Sequence, residues 1–206
     1  MFKTFKSFIM EDGEVSTTSN IVGGNPMLFK TITTRKPLVE TVYDYASCQF
    51  TLDYYLTGVI KEYARHLVKE IDLGEDGYVV NPHITVCYGL TLDKPIELFD
   101  LLESELIHPT YVDILDVDIF ECDDYNVLIL PIKSEKLNKL NRIINGNLDV
   151  VDTGYGTYNP HITLAYLKKD VDYTKYTNRK DLTQFNVKLD KFQFSDKLGT
   201  ITNFNY

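Results

Sequence analysis

Asn81-Pro82-His83-Ile84-Thr85 and Asn159-Pro160-His161-Ile162-Thr163 are one pentapeptide written twice. Each copy opens an apolar run, Val86-Cys87-Tyr88-Gly89-Leu90 after the first and Leu164-Ala165-Tyr166-Leu167 after the second. A repeat that extends into its flanks marks a duplicated unit. The β-branched and aromatic content, with proline only ahead of the histidine, predicts two short strands. Alternation along a strand then sets His83, Thr85 and Cys87 on one face and Ile84, Val86 and Tyr88 on the other. The second copy sets His161, Thr163 and Ala165 against Ile162, Leu164 and Tyr166. One face is a core face. The other offers an imidazole and a hydroxyl roughly 7 Å apart along each strand.

Histidine titrates near neutrality, so it can take a proton from a nucleophile or give one to a leaving oxygen. Two histidines on opposite sides of one phosphorus supply both transfers of an in-line displacement. Threonine hydroxyls can donate to the non-bridging oxygens and hold the charge that develops there. A lone His-x-Thr on a strand is ordinary packing; duplication in the same context favours catalysis. A zinc site is the competing reading, but His-Glu-x-x-His and Cys-x-x-Cys are absent, and no further ligand types flank either histidine. No metal and no cofactor is therefore expected. His66, in a helical pattern, and His108, before Pro109, are assigned to structure.

The paired motifs resemble those of the 2H phosphoesterases, a family that includes LigT-like 2′-5′ RNA ligases and cyclic phosphodiesterases. Asn126-Val-Leu-Ile-Leu-Pro-Ile132 with the helical segment from Ser134 to Ile144 is similar to that family's third-quarter strand and helix. Val187-Lys-Leu-Asp-Lys-Phe-Gln-Phe-Ser195 is similar to its last strand. The resemblance implies an α+β fold: a bilobal, pseudo-two-fold duplicated arrangement with mainly antiparallel sheets flanking a central cleft. It also implies acid and base roles for His83 and His161, phosphate binding by Thr85 and Thr163, and no metal. Within the family, an acidic phage enzyme resembles the anti-CBASS nucleases, which degrade the cyclic oligonucleotide signals of bacterial defence. The alternative branch is a LigT-like enzyme that opens 2′,3′-cyclic phosphates or acts on 2′-5′ linkages at RNA ends. A non-catalytic nucleotide-binding virion protein is the alternative from another class.

Charge narrows the substrate. A net charge of −9 and a pI near 4.9 disfavour a broad grip on long nucleic acid, so a small cyclic oligonucleotide or 2′,3′-cyclic nucleotide is the expected partner. Local cations are Lys30, Arg35, Lys36, Lys168 and Lys169, of which Lys168 follows the second motif strand and is taken as a substrate-binding candidate. The glycine-rich approach Thr153-Gly-Tyr-Gly-Thr157 adds Tyr155 and Tyr158 as rings that can stack on a base. No apolar run reaches the roughly 18 residues of a membrane span. The three cysteines, Cys48, Cys87 and Cys122, read as reduced thiols, which points to a cytoplasmic setting. Oligomeric state is left open.

Along the chain, Tyr43 to Leu52 reads as a strand, and Leu56 to Ile71 keeps helical spacing until Gly74, with the motif strand following directly. Asp93 and Pro95 start a second helix with Ile96, Phe99 and Leu102 on its apolar side. Tyr111 to Phe120 and Tyr125 to Ile132 form paired strands about a turn at Glu121 to Asp124. Ser134 caps a third helix carrying Leu137, Leu140, Ile143 and Ile144, which Gly146 stops. Residues 1–40 have little periodicity and read as a flexible or loosely docked extension to a 2H domain at 41–206. Their opening, Lys3 to Glu11, resembles the capsid-targeting peptides of phage internal proteins, which implies cleavage after Glu11 and packaging in a virion.

Overall fold

The computed structural model describes residues 15–18, 31–35, 42–92, 95–154, 156–183 and 185–205. Its organisation follows from alternation. In β3 (Ala46–Thr51), Ala46, Cys48 and Phe50 are buried as a core stripe, with Ser47, Gln49 and Thr51 between them. Asp53 ends that strand and caps α1 (Tyr54–Leu67), its carboxylate accepting from Leu56 N at 2.7 Å. Leu56, Ile60 and Ala64 form the buried stripe of the helix. The helix stops at Leu67, where Val68 turns extended, instead of running to Ile71. A 3-10 turn at Glu70–Asp72 comes next, and then a strand the periodicity did not announce, β4 (Leu73–Tyr78). The motif strand β5 (His83–Leu90) comes only after it.

The second half repeats this plan. A helix α2 (Pro95–Leu106) buries Leu98, Phe99, Leu102 and Leu106, while Ile96, expected on its apolar side, is exposed. Asp93, the expected cap, lies outside the described residues. The expected single strand from Tyr111 to Phe120 is two, β6 (Thr110–Ile114) and β7 (Asp118–Glu121), which pair with different parts of β8 (Tyr125–Lys133). Ser134 caps α3 (Glu135–Asn147), its hydroxyl accepting from Leu137 N at 3.3 Å. Gly146 lies inside that helix, which ends at Asn147 with Leu148 as its C-cap. The segment 149–151 then leads to the second motif strand β9 (His161–Lys168).

Beyond it come β10 (Asn186–Leu189), β11 (Lys191–Ser195) and β12 (Ile201–Asn205). The expected last strand from Val187 to Ser195 is thus two strands, with β12 after them. Two strands from the N-terminal extension, β1 (Val15–Thr18) and β2 (Thr31–Arg35), continue the sheet, with β2 paired to β12. The sheet therefore begins before residue 41. The leader motif at Lys3 to Glu11 lies outside the described residues. Among the described residues no helix is long and apolar enough to cross a membrane.

Strand order is β1-β2-β12-β11-β3-β5-β9-β8-β6-β10, with β4 on the free edge of β9 and β7 on β8. Every pairing is antiparallel, and the sheet curls into an open half-barrel with the helices against its core face. The pseudo-two-fold is explicit. β3 leads through α1 to β4, which crosses to pair with β9; β8 leads through α3 to 149–151, which crosses to pair with the end of β5. Each half thus lends a segment to the other half's motif strand. Gly89 permits one crossing: its φ is +98°, and an added Cβ would lie 2.6 Å from the Val151 carbonyl oxygen. Its own carbonyl accepts from Val151 N at 2.9 Å.

Gly89→Ala is therefore expected to destabilise the protein by about 1–3 kcal/mol through backbone strain. Urea denaturation checks it, with the midpoint lowered and the slope unchanged.

Candidate active site

The two motif strands meet at one pair of residues, Ile84 opposite Ile162. Both isoleucines are fully buried, and burying each is worth about 1.5–3 kcal/mol. Cross-strand partners share a face, so the neighbours of these isoleucines, His83 and Thr85 on β5 and His161 and Thr163 on β9, all project to the opposite, open face. The register sets His83 against Thr163 and Thr85 against His161. The two histidines are then diagonal neighbours, about 7–8 Å apart at their attachment points. That span accommodates a tetrahedral phosphoryl group between two imidazoles. All four motif residues are brought together in one cleft.

The same local device orients both rings. Nδ1 of His83 lies 2.8 Å from the Asn81 carbonyl oxygen, and Nδ1 of His161 lies 2.8 Å from that of Asn159. A carbonyl can only accept, so Nδ1 carries the hydrogen and the neutral ring has its lone pair on Nε2. The proline after each asparagine holds that asparagine extended, which aims its carbonyl back at the ring two residues on. Burial pushes both imidazoles below their ordinary range; for His83 the nearby charge of His161 adds to this, and the Asn81 contact opposes it. Both rings are therefore mainly neutral at pH 7.

Strict alternation fails just past each threonine. Cys48 pairs with Cys87 but Gln49 pairs with Thr85, so Val86 is an extra residue; Leu128 pairs with Ala165 but Ile129 pairs with Thr163, so Leu164 is its counterpart. A β-bulge at the same point of both copies reverses the facing of the next residues along each strand. Cys87 and Ala165, expected beside the histidines, go to the core, and Tyr88 and Tyr166, expected in the core, fall on the face of the cleft. Burial pushes the Cys87 thiol up to about 12, so it is inert, and all three cysteines are free thiols.

The other expected residues fare differently. Tyr158 is half-buried, with its ring against the core and its hydroxyl donating to the Thr85 carbonyl oxygen at 3.0 Å. It ties the approach of the second motif to the strand of the first, and its ring is held there instead of standing ready to close over a base. Tyr155 lies outside the described residues. Lys168 is exposed at the far end of β9, roughly 23 Å along the strand from His161, and donates to the Ile71 carbonyl oxygen at 2.7 Å. The His66 ring contacts the Glu62 carbonyl oxygen at 2.7 Å within α1, a structural role.

Several neighbours of the motif strands escaped the sequence reading. Phe120 on β7 meets the His161 ring edge-on, with centroids 4.8 Å apart and planes at 86°. On the other side, β3 sets Thr51 beside His83 and Gln49 beside Thr85, and β11 extends those rows with Lys191 and Gln193. Their signal was present as polar residues alternating with Cys48 and Phe50 in one strand and with Phe192 and Phe194 in the other. Among the described residues no group of three His, Cys, Asp or Glu converges as a metal-binding set.

Two His-x-Thr strands thus meet in a curled antiparallel sheet. Among solved structures the fold is similar to the crystal structure of a phosphoesterase, with a TM-score of 0.50 at 14% identity, over 73% of this chain and 86% of the other. Kluyveromyces marxianus Usb1 with uridine monophosphate matches with a TM-score of 0.45 at 11% identity, over 77% of this chain and 95% of its own. No curated protein gives a match. The family model described as anti-CBASS protein Acb1 matches residues 67–195, more than half of the chain. The chain belongs to that family.

Two measurements check the site. In nitrogen-15 NMR, both histidines are expected as the Nδ1–H tautomer when neutral, with titration midpoints below 6.5; a midpoint above 7 for either contradicts the desolvated setting. Tyr158→Phe removes one hydrogen bond and is expected to cost about 0.5–1.5 kcal/mol of stability, read from its denaturation midpoint.

Proposed function

We propose that the protein is a metal-independent phosphodiesterase that breaks 3′-5′ bonds in small cyclic oligonucleotide signals, and that it serves a phage by removing the messengers of CBASS defence. The observation that carries this reading is the crossing at Ile84 and Ile162, which sets two Nδ1-anchored imidazoles diagonally about a space of phosphoryl size. Membership of the anti-CBASS family supports the substrate class.

In the reaction, Nε2 of one neutral histidine takes the proton from a ribose 2′-hydroxyl or a water as that oxygen bonds to phosphorus. The P–O5′ bond breaks, and the second histidine, protonated on Nε2, delivers its proton to the departing 5′-oxygen. Attack by the 2′-hydroxyl leaves a 2′,3′-cyclic phosphate and a 5′-hydroxyl; attack by water leaves a phosphate monoester. Thr85 and Thr163 donate to the non-bridging oxygens as negative charge gathers on them. One ring must be neutral and the other charged. Because burial lowers both, the charged partner is the scarce one at neutral pH, and the rate rises as pH falls from 8 toward 6. It declines again once both rings are protonated, and the two limbs belong to the pair and not to either residue.

The test is turnover, with chelator present, of a panel of cyclic dinucleotides, cyclic trinucleotides, nucleoside 2′,3′-cyclic phosphates and 2′-5′ oligoadenylates. Cleavage of the cyclic oligonucleotides is expected. Cleavage of only the last two classes assigns the protein to the LigT-like branch, and turnover of none makes it a binding protein. His83→Ala and His161→Ala are each expected to lose about 10²–10⁴-fold in rate while remaining folded. Thr85→Ala and Thr163→Ala are expected to lose less, by about tenfold to a hundredfold.

A further inference from the structure

A β-bulge leaves its extra residue outside the regular ladder, so Val86 and Leu164, one place past each motif threonine, take partners from elsewhere. The two copies do this by different means. In the second copy the partner is main chain: Val79 N, on the approach to the first motif, donates to the Leu164 carbonyl oxygen at 3.1 Å. In the first copy it is a side chain: Asn141 Nδ2, on α3, donates to the Val86 carbonyl oxygen at 2.8 Å. The carbonyl one residue earlier, that of Thr85 itself, accepts from the Tyr158 hydroxyl at 3.0 Å. Each bulge is thus held by the opposite half. Two consecutive carbonyls of the first motif strand rest on two side chains of the second half.

The place of Asn141 in its helix singles it out. Asn141 is the seventh residue of α3, and the seventh residue of α1, the equivalent helix, is Ile60, buried in the core. Asn141 is half-buried and lies four residues after Leu137 and three before Ile144, on the side of the helix that carries the buried stripe. Helix propensity and burial both favour leucine over asparagine at such a position. The bond to Val86 is what the amide gains there. Because the helices lie against the core face, Asn141 reaches β5 from behind the cleft and does not meet the substrate.

Resting on the reading of the site as a phosphodiesterase centre, we infer that Asn141 is a positioning residue for Thr85, assisted by Tyr158. Holding the Val86 carbonyl fixes the course of the chain at the bulge, and with it the direction in which the Thr85 hydroxyl meets a non-bridging phosphoryl oxygen. A displacement of about 1 Å in a group of this kind can cost about a hundredfold in rate. Thr163 has the main chain of Val79 in the corresponding role. Two threonines alike in chemistry therefore depend on different parts of the sequence.

Asn141→Leu tests this, since leucine suits both the helix and its apolar stripe and removes the donor. On whichever member of the substrate panel the wild type turns over, kcat is expected to fall by about tenfold with KM changed by less than about twofold. The deciding comparison uses the two threonines as backgrounds. In Thr85→Ala the added Asn141→Leu should cost no further rate, because the hydroxyl it positions is gone; in Thr163→Ala it should cost the full factor of about ten. A merely structural asparagine would cost the same in both. Tyr158→Phe should repeat the pattern with a smaller loss, and it decides the matter alone if Asn141→Leu does not fold. Undiminished kcat, or equal losses in the two backgrounds, overturns the inference and leaves the phosphodiesterase reading standing. Turnover of no member of the panel by the wild type refutes that reading, and the inference with it.

Discussion

The cleft depends on a single antiparallel contact, Ile84 against Ile162, between strands that otherwise belong to different halves of the molecule. Each isoleucine is flanked by the histidine and threonine of its motif, so burying the pair on the core face forces all four motif side chains onto the other. The energy that joins the halves and the geometry that makes the site have the same source. The rest of the fold braces this contact. β4 crosses to the edge of β9, residues 149–151 cross to β5, and Tyr158 spans from one motif's approach to the other motif's threonine.

Duplication accounts for what is symmetric. Both rings are steered by the carbonyl of an asparagine two residues earlier, both strands bulge one residue past the threonine, and both bulges bring a tyrosine to the cleft. Divergence accounts for what is not. Thr51, Gln49 and Ser47 stand where the other half has Pro131, Ile129 and Val127. The proposed proton transfers need only the symmetric parts, and these differing walls leave room for selectivity without disturbing them.

The motif strands, the strand–helix–strand rhythm and the cap at Ser134 were legible in the sequence because each rests on local chemistry: alternation, 3.6-residue spacing, or a side-chain oxygen placed to take a backbone N–H. What the sequence concealed was decided at a distance. β4, Leu-Gly-Glu-Asp-Gly-Tyr, has little strand propensity and forms because β9 offers an open edge. A bulge has no composition of its own, so the faces of Cys87, Tyr88, Ala165 and Tyr166 were read in reverse. Gly146 sits within a helix whose packing through Leu140 and Ile144 outweighs its intrinsic cost. Gln49 and Phe120 carry no motif, and only strand pairing shows that one stands beside Thr85 and the other against His161. The extension before residue 41 lacked periodicity, yet Val15–Thr18 and Thr31–Arg35 add strands at the sheet edge.

The most direct measurement of the central claim is a crystal structure with vanadate, a mimic of the five-coordinate phosphorus of in-line displacement. The account expects one vanadium centre with an apical oxygen within hydrogen-bonding distance of Nε2 of His83, the opposite apical oxygen equally close to Nε2 of His161, and equatorial oxygens on Thr85 and Thr163. Vanadate held by only one of the two imidazoles, or bound elsewhere while both rings stay apart from it, would contradict it.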